Sequence, residues 1–211
     1  MRVVVAELAH LFAATGLVPR QLQTDRGSCF VGADDARRAA VPSRLTLWLA
    51  GLDITHRLIP VGRPQHNGAV ERFHGGVEYS WQGEADGLAA LIAVWNEPRP
   101  PLSEGHQPYR GRAGFAMERV WVLLGQPRVT RQVDRCGRIS LWDRPVWVGR
   151  QVVGQAVTVT FDPASQAVVI CDAHERQLRQ TAVPWLTEDW LWEPVALSDQ
   201  RAHGLDRPHF P

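Results

Sequence analysis

Lysine is missing altogether: all 23 basic residues of the 211-residue chain are arginine. A high-G+C coding bias accounts for the missing lysine, so that absence alone assigns no function. Cysteine is scarce. Cys29, Cys136 and Cys171 lie far apart with no CxxC pair, which argues against a disulfide framework or a zinc knuckle and for a reducing compartment, the cytoplasm. No apolar run approaches the ~20 residues of a membrane span, and the start carries no signal-peptide pattern. Charge of either sign is not in excess, with 23 arginines against 22 acids and a net +1. This excludes a uniformly polycationic binder, and 45% hydrophobic residues exclude wholesale disorder. The length leaves room for one large domain or two small ones.

The near-zero total conceals three unlike regions. Residues 1–98 hold nine Arg and ten acids, residues 99–150 ten Arg and four acids, and residues 151–211 four Arg and eight acids. The middle is therefore +6 between stretches of −1 and −4. Arginine makes planar, bidentate contacts to phosphate, so nucleic acid is the partner this clustering points to.

Periodicity divides the chain in the same places. Val4, Leu8, Leu11 and Phe12 recur at helical spacing ahead of Gly16. Residues 20–24 alternate as a short strand that delivers Asp25, residues 32–42 read as a polar loop, residues 45–50 as a short apolar helix closed by Gly51, and residues 54–58 as a second strand. The Gly62–Gly68 stretch GRPQHNG cannot be regular structure. A helix is predicted from about Ala69, carrying Val70, Phe73 and Val77 on one face, and another over 88–95. Residues 98–107, PRPPLSEGHQ, read as a linker. Beyond it the period changes to two, in short runs at 138–141, 146–148, 156–161, 167–171 and 177–183. Such runs suggest a small barrel or sandwich, with a frayed tail from Ser198.

Two carboxylates stand in positions suited to chemistry. Asp25 ends a strand, and Glu71 sits in the first turn of a helix after a Pro/Gly/Asn loop. Acids brought from distant parts of a chain suit Mg²⁺, a hard cation that takes carboxylate oxygens. Such acids clamp the attacking and leaving oxygens of a phosphodiester in two-metal sites. Gln65, His66 and Asn67 either contact DNA or shape the turn, and Arg72 either meets a phosphate or pairs on the surface. His74, Glu78 and Cys29 read as ordinary solvated or packed residues, and Trp48 and Trp95 as core. Trp142 and Trp147, flanking the basic segment, leave base stacking and packing equally open.

The surroundings of these acids resemble the integrase core of retroviral-type integrases and DDE transposases, above all bacterial insertion-element transposases. Gln23-Thr24-Asp25-Arg26-Gly27-Ser28-Cys29-Phe30 is close to the family's T-D-x-G-x-x-F. Gly51-Leu52-Asp53-Ile54-Thr55-His56 follows, and the stretch from Gly62 to His74 fits P-x-x-N-G-x-x-E-R. Trp95-Asn96-Glu97-Pro98-Arg99-Pro100 resembles the Y-N-x-x-R-P beyond the core. The resemblance implies an α/β plus all-β chain. Residues 1–97 would be the C-terminal part of an RNase H-like core, 98–130 a Pro/Arg-rich linker, 131–197 a small SH3-like β-barrel similar to the C-terminal domain of Mu-type transposases, and 198–211 a flexible tail.

It further implies that Asp25 and Glu71 are catalytic acids and ligands of Mg²⁺ (or Mn²⁺). Arg63, Gln65, Asn67, Arg72, Arg131, Arg135, Arg138 and Arg144 would bind DNA, both transposon ends and target. The intact enzyme would be a homo-oligomer. Two features depart from the family. Forty-five residues separate Asp25 from Glu71, a gap lengthened by the 32–42 loop at little entropic cost. No Asp occurs among the 24 residues before Asp25, where the family carries its first acid. The chain therefore reads as the C-terminal portion of a transposase with an incomplete metal site. The alternative is a catalytically inactive remnant that binds only DNA or a transposase.

Overall fold

The computed structural model describes residues 2–31, 41–60 and 105–204, with the isolated positions 62, 68, 71 and 75. Helix α1 (Arg2–Thr15) stops where Gly16 takes φ +68° and returns its N–H to the Phe12 carbonyl. Its buried stripe is Val5, Ala6, Ala9 and Phe12, while Leu11 is 55% exposed. The expected stripe through Val4, Leu8 and Leu11 is thus rotated. The small side chains of Ala6 and Ala9 let a neighbouring helix approach, and burial follows that neighbour rather than the bulkiest residues.

Strand β1 (Leu17–Pro19) runs directly into β2 (Gln21–Thr24), and the two belong to different sheets. After the single turn α2 (Ser28–Val31) and the apolar helix α3 (Arg44–Gly51), strand β3 (Thr55–Leu58) lies parallel to β2, with Gln21 opposite Thr55 and Thr24 opposite Leu58. Helix α3 is the centre of this part. Ser43 caps it by accepting from the Thr46 N–H at 3.2 Å, and Leu45, Leu47, Trp48 and Leu49 have no exposed surface.

Residues 105–130, expected as linker, form ordered elements instead. Strand β4 (His106–Pro108) pairs antiparallel with β1, a 3₁₀ turn spans Gly111–Gly114, and α4 spans Met117–Leu124. Val120, Trp121 and Leu124 make the buried stripe of α4. The Pro and Arg content hid a helical repeat, Met117-Val120-Trp121-Leu124, that packs α4 on α3.

Strands β5 (Val129–Gln132), β8 (Ala156–Asp162), β9 (Ala167–Cys171) and β10 (Gln177–Ala182) form an antiparallel sheet in the order β10-β9-β8-β5. Strands β6 (Arg138–Leu141) and β7 (Arg144–Trp147) form a separate hairpin. The fold class is mixed α and β, as the periodicity implied, but the expected barrel is not closed among the described residues. Neither edge strand, β5 nor β10, forms a ladder with the hairpin. Ile139, Leu141 and Val146 of the hairpin are buried in the common core instead.

The last helix, α5 (Glu188–Gly204), continues past Ser198, where a frayed tail was expected. It packs on α1 and α3, and His10 bonds Asp199 at 2.9 Å. Trp48 stacks on Phe12 (6.1 Å) and meets Trp192 of α5 edge-on (5.5 Å). One apolar cluster runs from Val5 through Trp48 and Trp121 to Ile170 and Trp192. The segments that the composition separated therefore share a core.

Candidate metal and nucleic-acid site

Asp25 follows immediately on the C-terminal end of β2 and is exposed, its Oδ1 accepting the Gly27 N–H at 2.8 Å. Two bonds tie its loop to the neighbouring strand. The Ile59 N–H donates to the Thr24 carbonyl at 2.9 Å, and Arg26 Nε donates to the Ile59 carbonyl at 3.2 Å. Because β2 and β3 are parallel, both chains leave the pair at the same edge, and the chain leaving β3 leads on to Glu71. Glu71 is exposed and helical, Gly68 and Gly75 are helical too, and the spacing of these three puts them on one helix face. Arg63, Gln65, Asn67 and Arg72 lie outside the described residues, as do Trp95 and the 88–95 helix.

Behind Asp25 runs a chain of hydrogen bonds that the motif reading missed. His56 stands between two hydroxyls, with Nδ1 2.8 Å from Thr46 Oγ1 and Nε2 2.9 Å from Thr24 Oγ1. Thr46 Oγ1 is 2.9 Å from Ser43 Oγ, which donates to the Phe30 carbonyl at 2.6 Å. Since the Ser43 proton is committed to Phe30, Ser43 accepts from Thr46, Thr46 accepts from Nδ1–H, and Nε2 accepts from Thr24. A neutral imidazole satisfies every member. Burial pushes the His56 pKa below its ordinary value, in the same sense. Protonation would place a hydrogen on Nε2 and turn the Thr24 hydroxyl wholly onto the Asp25 carbonyl, 3.0 Å away. The relay thus ends on the Thr24 hydroxyl, whose single proton faces both His56 Nε2 and the Asp25 carbonyl. Its sequence trace is the alternation in Thr55-His56-Arg57-Leu58, but its members meet only through the β2–β3 register.

Folding redistributes the basic middle. Arg112 pairs with Glu188 and Asp189, and Arg128 pairs with Glu175 at 2.9 Å, so acids of the −4 region neutralise part of the +6 region. Arg119 donates to the Gly51 and Gly114 carbonyls. Among the predicted DNA contacts, Arg131 donates to the Ser140 and Thr130 carbonyls. Arg138 lies 3.5 Å from Asp134, and Arg135 is exposed in the turn between β5 and β6. Arg144 stands apart, over the Trp185 ring at 5.3 Å. It is opposite buried Leu141 in the ladder, whereas Arg138 is opposite exposed Trp147. Exposed Arg150, absent from the expected set, lies by the Arg135 turn, because the Val148 and Gly149 N–H groups donate to the Gly137 carbonyl.

No protein-family model matches the chain, and no curated protein matches it. Function therefore rests on the residues themselves. Among the described residues no three His, Cys, Asp or Glu side chains group as a metal site. Two exposed carboxylates still suit Mg²⁺, which keeps several waters and takes one or two carboxylates together with substrate phosphates. Among the described residues no helix is long and apolar enough to cross a membrane.

Proposed function

We propose that this chain is a DDE-type transposase or integrase protein that acts in DNA integration, with Asp25 and Glu71 as metal-binding catalytic acids on an RNase H-like framework. The observation that carries the reading is the parallel β2–β3 pair. Asp25 stands just past the end of β2, anchored to β3 through Arg26 and Ile59, and the chain leaving that same edge enters the helix of Glu71. The motif spacing around both acids supports it independently.

Bound Mg²⁺ would neutralise charge at the scissile phosphodiester and lower the pKa of the attacking water or 3′-hydroxyl. Asp25 and Glu71 would hold it, with the Asp25 loop tied to the neighbouring strand through Ile59 and Arg26. Arg131, Arg135 and Arg138 would hold the DNA backbone, with Arg63, Gln65, Asn67 and Arg72 nearer the acids. Arg144, exposed and stacked over the Trp185 ring, would join them with its N–H groups. Transposon ends and target DNA are the substrates, and a homo-oligomer is the working form.

A second reading is a catalytically inactive protein that binds DNA or a transposase. Strand-transfer and nicking assays with Mg²⁺ or Mn²⁺ separate the two. The catalytic reading expects product that Asp25→Asn and Glu71→Gln each abolish. The second expects no product but DNA binding that weakens steeply with salt. Neither product nor salt-dependent binding would overturn both.

A further inference from the structure

Trp147 is the one exposed tryptophan among the described residues. Trp48, Trp121 and Trp192 are buried, and Trp142, Trp185 and Trp190 pack on one another. Trp147 leaves 42% of its surface to water on the outward face of a hairpin. Residues directly opposite in an antiparallel pair share a face, so Arg138 is its neighbour there, with Ser140 and Pro145 as the next pair along. All four are exposed.

Two glycines gather further cations at this end. Gly137 has φ +78°, and a Cβ on it would come within 2.9 Å of the Gly149 carbonyl. That close approach joins the turn bearing Arg135 to the one bearing Arg150. Asp134, in the Arg135 turn, accepts the Cys136 and Arg138 N–H groups at 2.8 and 2.9 Å and pairs with the Arg138 side chain. Its charge is thereby engaged in shaping the turn. The exposed indole thus has Arg138 opposite it in the ladder and Arg135 and Arg150 exposed in the two adjoining turns, a combination suited to unpaired nucleic acid, which stacks a base on an aromatic ring while cations track the phosphates.

We propose that this face binds single-stranded or frayed DNA, with an unstacked base on the Trp147 ring and the adjoining phosphates on Arg135, Arg138 and Arg150. The inference rests on the reading of the chain as a DNA-binding protein, yet it needs neither metal nor catalysis. It adds that the β part engages unpaired strands rather than duplex alone.

The test uses the full chain with three probes of equal length: a thymidine 15-mer, its abasic counterpart and a blunt duplex. We expect the thymidine 15-mer to bind about tenfold tighter than the abasic strand and tighter than the duplex, and to shift the Trp147 indole N–H resonance. Trp147→Ala should remove the tenfold preference and Trp147→Phe should restore most of it. Both variants should keep the wild-type circular dichroism, since the ring lies outside the core. Equal binding of thymidine and abasic strands, with a steep salt slope, would overturn the stacking site while leaving phosphate binding intact. Much tighter binding of the matching uridine 15-mer would overturn the assignment to DNA, and absence of binding to every probe would overturn both this inference and the DNA-binding reading.

Discussion

The turn that joins β6 to β7 offers a sharp test of how the two parts of the chain are locked together. Trp142 and Asp143 both have positive φ, +50° and +63°, as a two-residue hairpin of this handedness requires. Asn or Gly would be the usual choice, and a tryptophan there is strained by roughly 1–2 kcal/mol. The strain is offset by what the side chain reaches. Its Nε1–H donates to the Pro42 carbonyl at 2.8 Å, across to the loop before α3. Its ring meets Trp185 at 5.4 Å, Phe161 at 5.6 Å and Trp190 at 6.1 Å.

Replacing Trp142 by Ala keeps the strained backbone and forfeits these contacts. For a half-buried tryptophan the expected loss is about 3 kcal/mol, the low end of the range for Trp to Ala in cores. Trp142→Phe keeps a ring and loses the hydrogen bond, at about 1 kcal/mol. Trp142→Gly loses the same contacts as Ala but relaxes the backbone, so it should be about 1 kcal/mol more stable than Trp142→Ala. That ranking inverts the ordinary one for Gly and Ala. Urea unfolding, followed by far-UV circular dichroism and by fluorescence, measures all three differences against a total of about 5–15 kcal/mol. A Gly variant less stable than the Ala variant, or an Ala variant within 0.5 kcal/mol (about the scatter of an ordinary surface change) of wild type, would refute the reasoning.

Two further outcomes follow from the core and the relay. A Cβ on Gly51 would lie 2.1 Å from the Phe115 ring, so Gly51→Ala should destabilise by about 1–3 kcal/mol. Adding Phe115→Leu should recover part of that loss in the same unfolding assay, and additive losses would contradict the contact. His56 is held neutral by burial, its folded pKa lying below the unfolded value near 6.5. Its contribution is therefore complete above about pH 6.5 and is lost as pH falls from there towards the depressed folded value. Unfolding free energies between pH 5 and 8 should decline on the acid side, and His56→Asn should flatten that decline. An unchanged pH profile in the variant would show that the relay is not what titrates.

What the sequence made legible was local. Strands β2 and β3 and five strands of the C-terminal part follow from alternation that each segment carries within itself. Helix α3 was readable from its apolar run and Gly51. The misses share a cause: they depend on what packs against the segment. The burial of α1 was set by α3 and by α5, the latter nearly 190 residues away, and the pairing of β4 with β1 cannot be seen in PRPPLSEGHQ. Strand β5 is four residues, two of them polar and one an arginine, so its pairing with β8 outweighs its composition. The position of Asp25 was visible because a strand and a turn motif meet there. The His56 relay was not, because Thr24, Thr46 and Ser43 come to it through the fold. The charge map needed the most revision, since acids near the C-terminus fold back onto arginines of the middle, and the face left basic is the far end of the β6–β7 hairpin.

The central claim is that Asp25 and Glu71 serve one divalent cation. Titrating the chain with Mn²⁺ while following paramagnetic broadening of backbone amides tests it directly. The account predicts that Asp25, Gly27 and Ile59 broaden together with Glu71 at low Mn²⁺, and that Asp25→Asn and Glu71→Gln each remove the effect at all four positions. Broadening that survives both substitutions, or that each substitution removes only around its own residue, would contradict it.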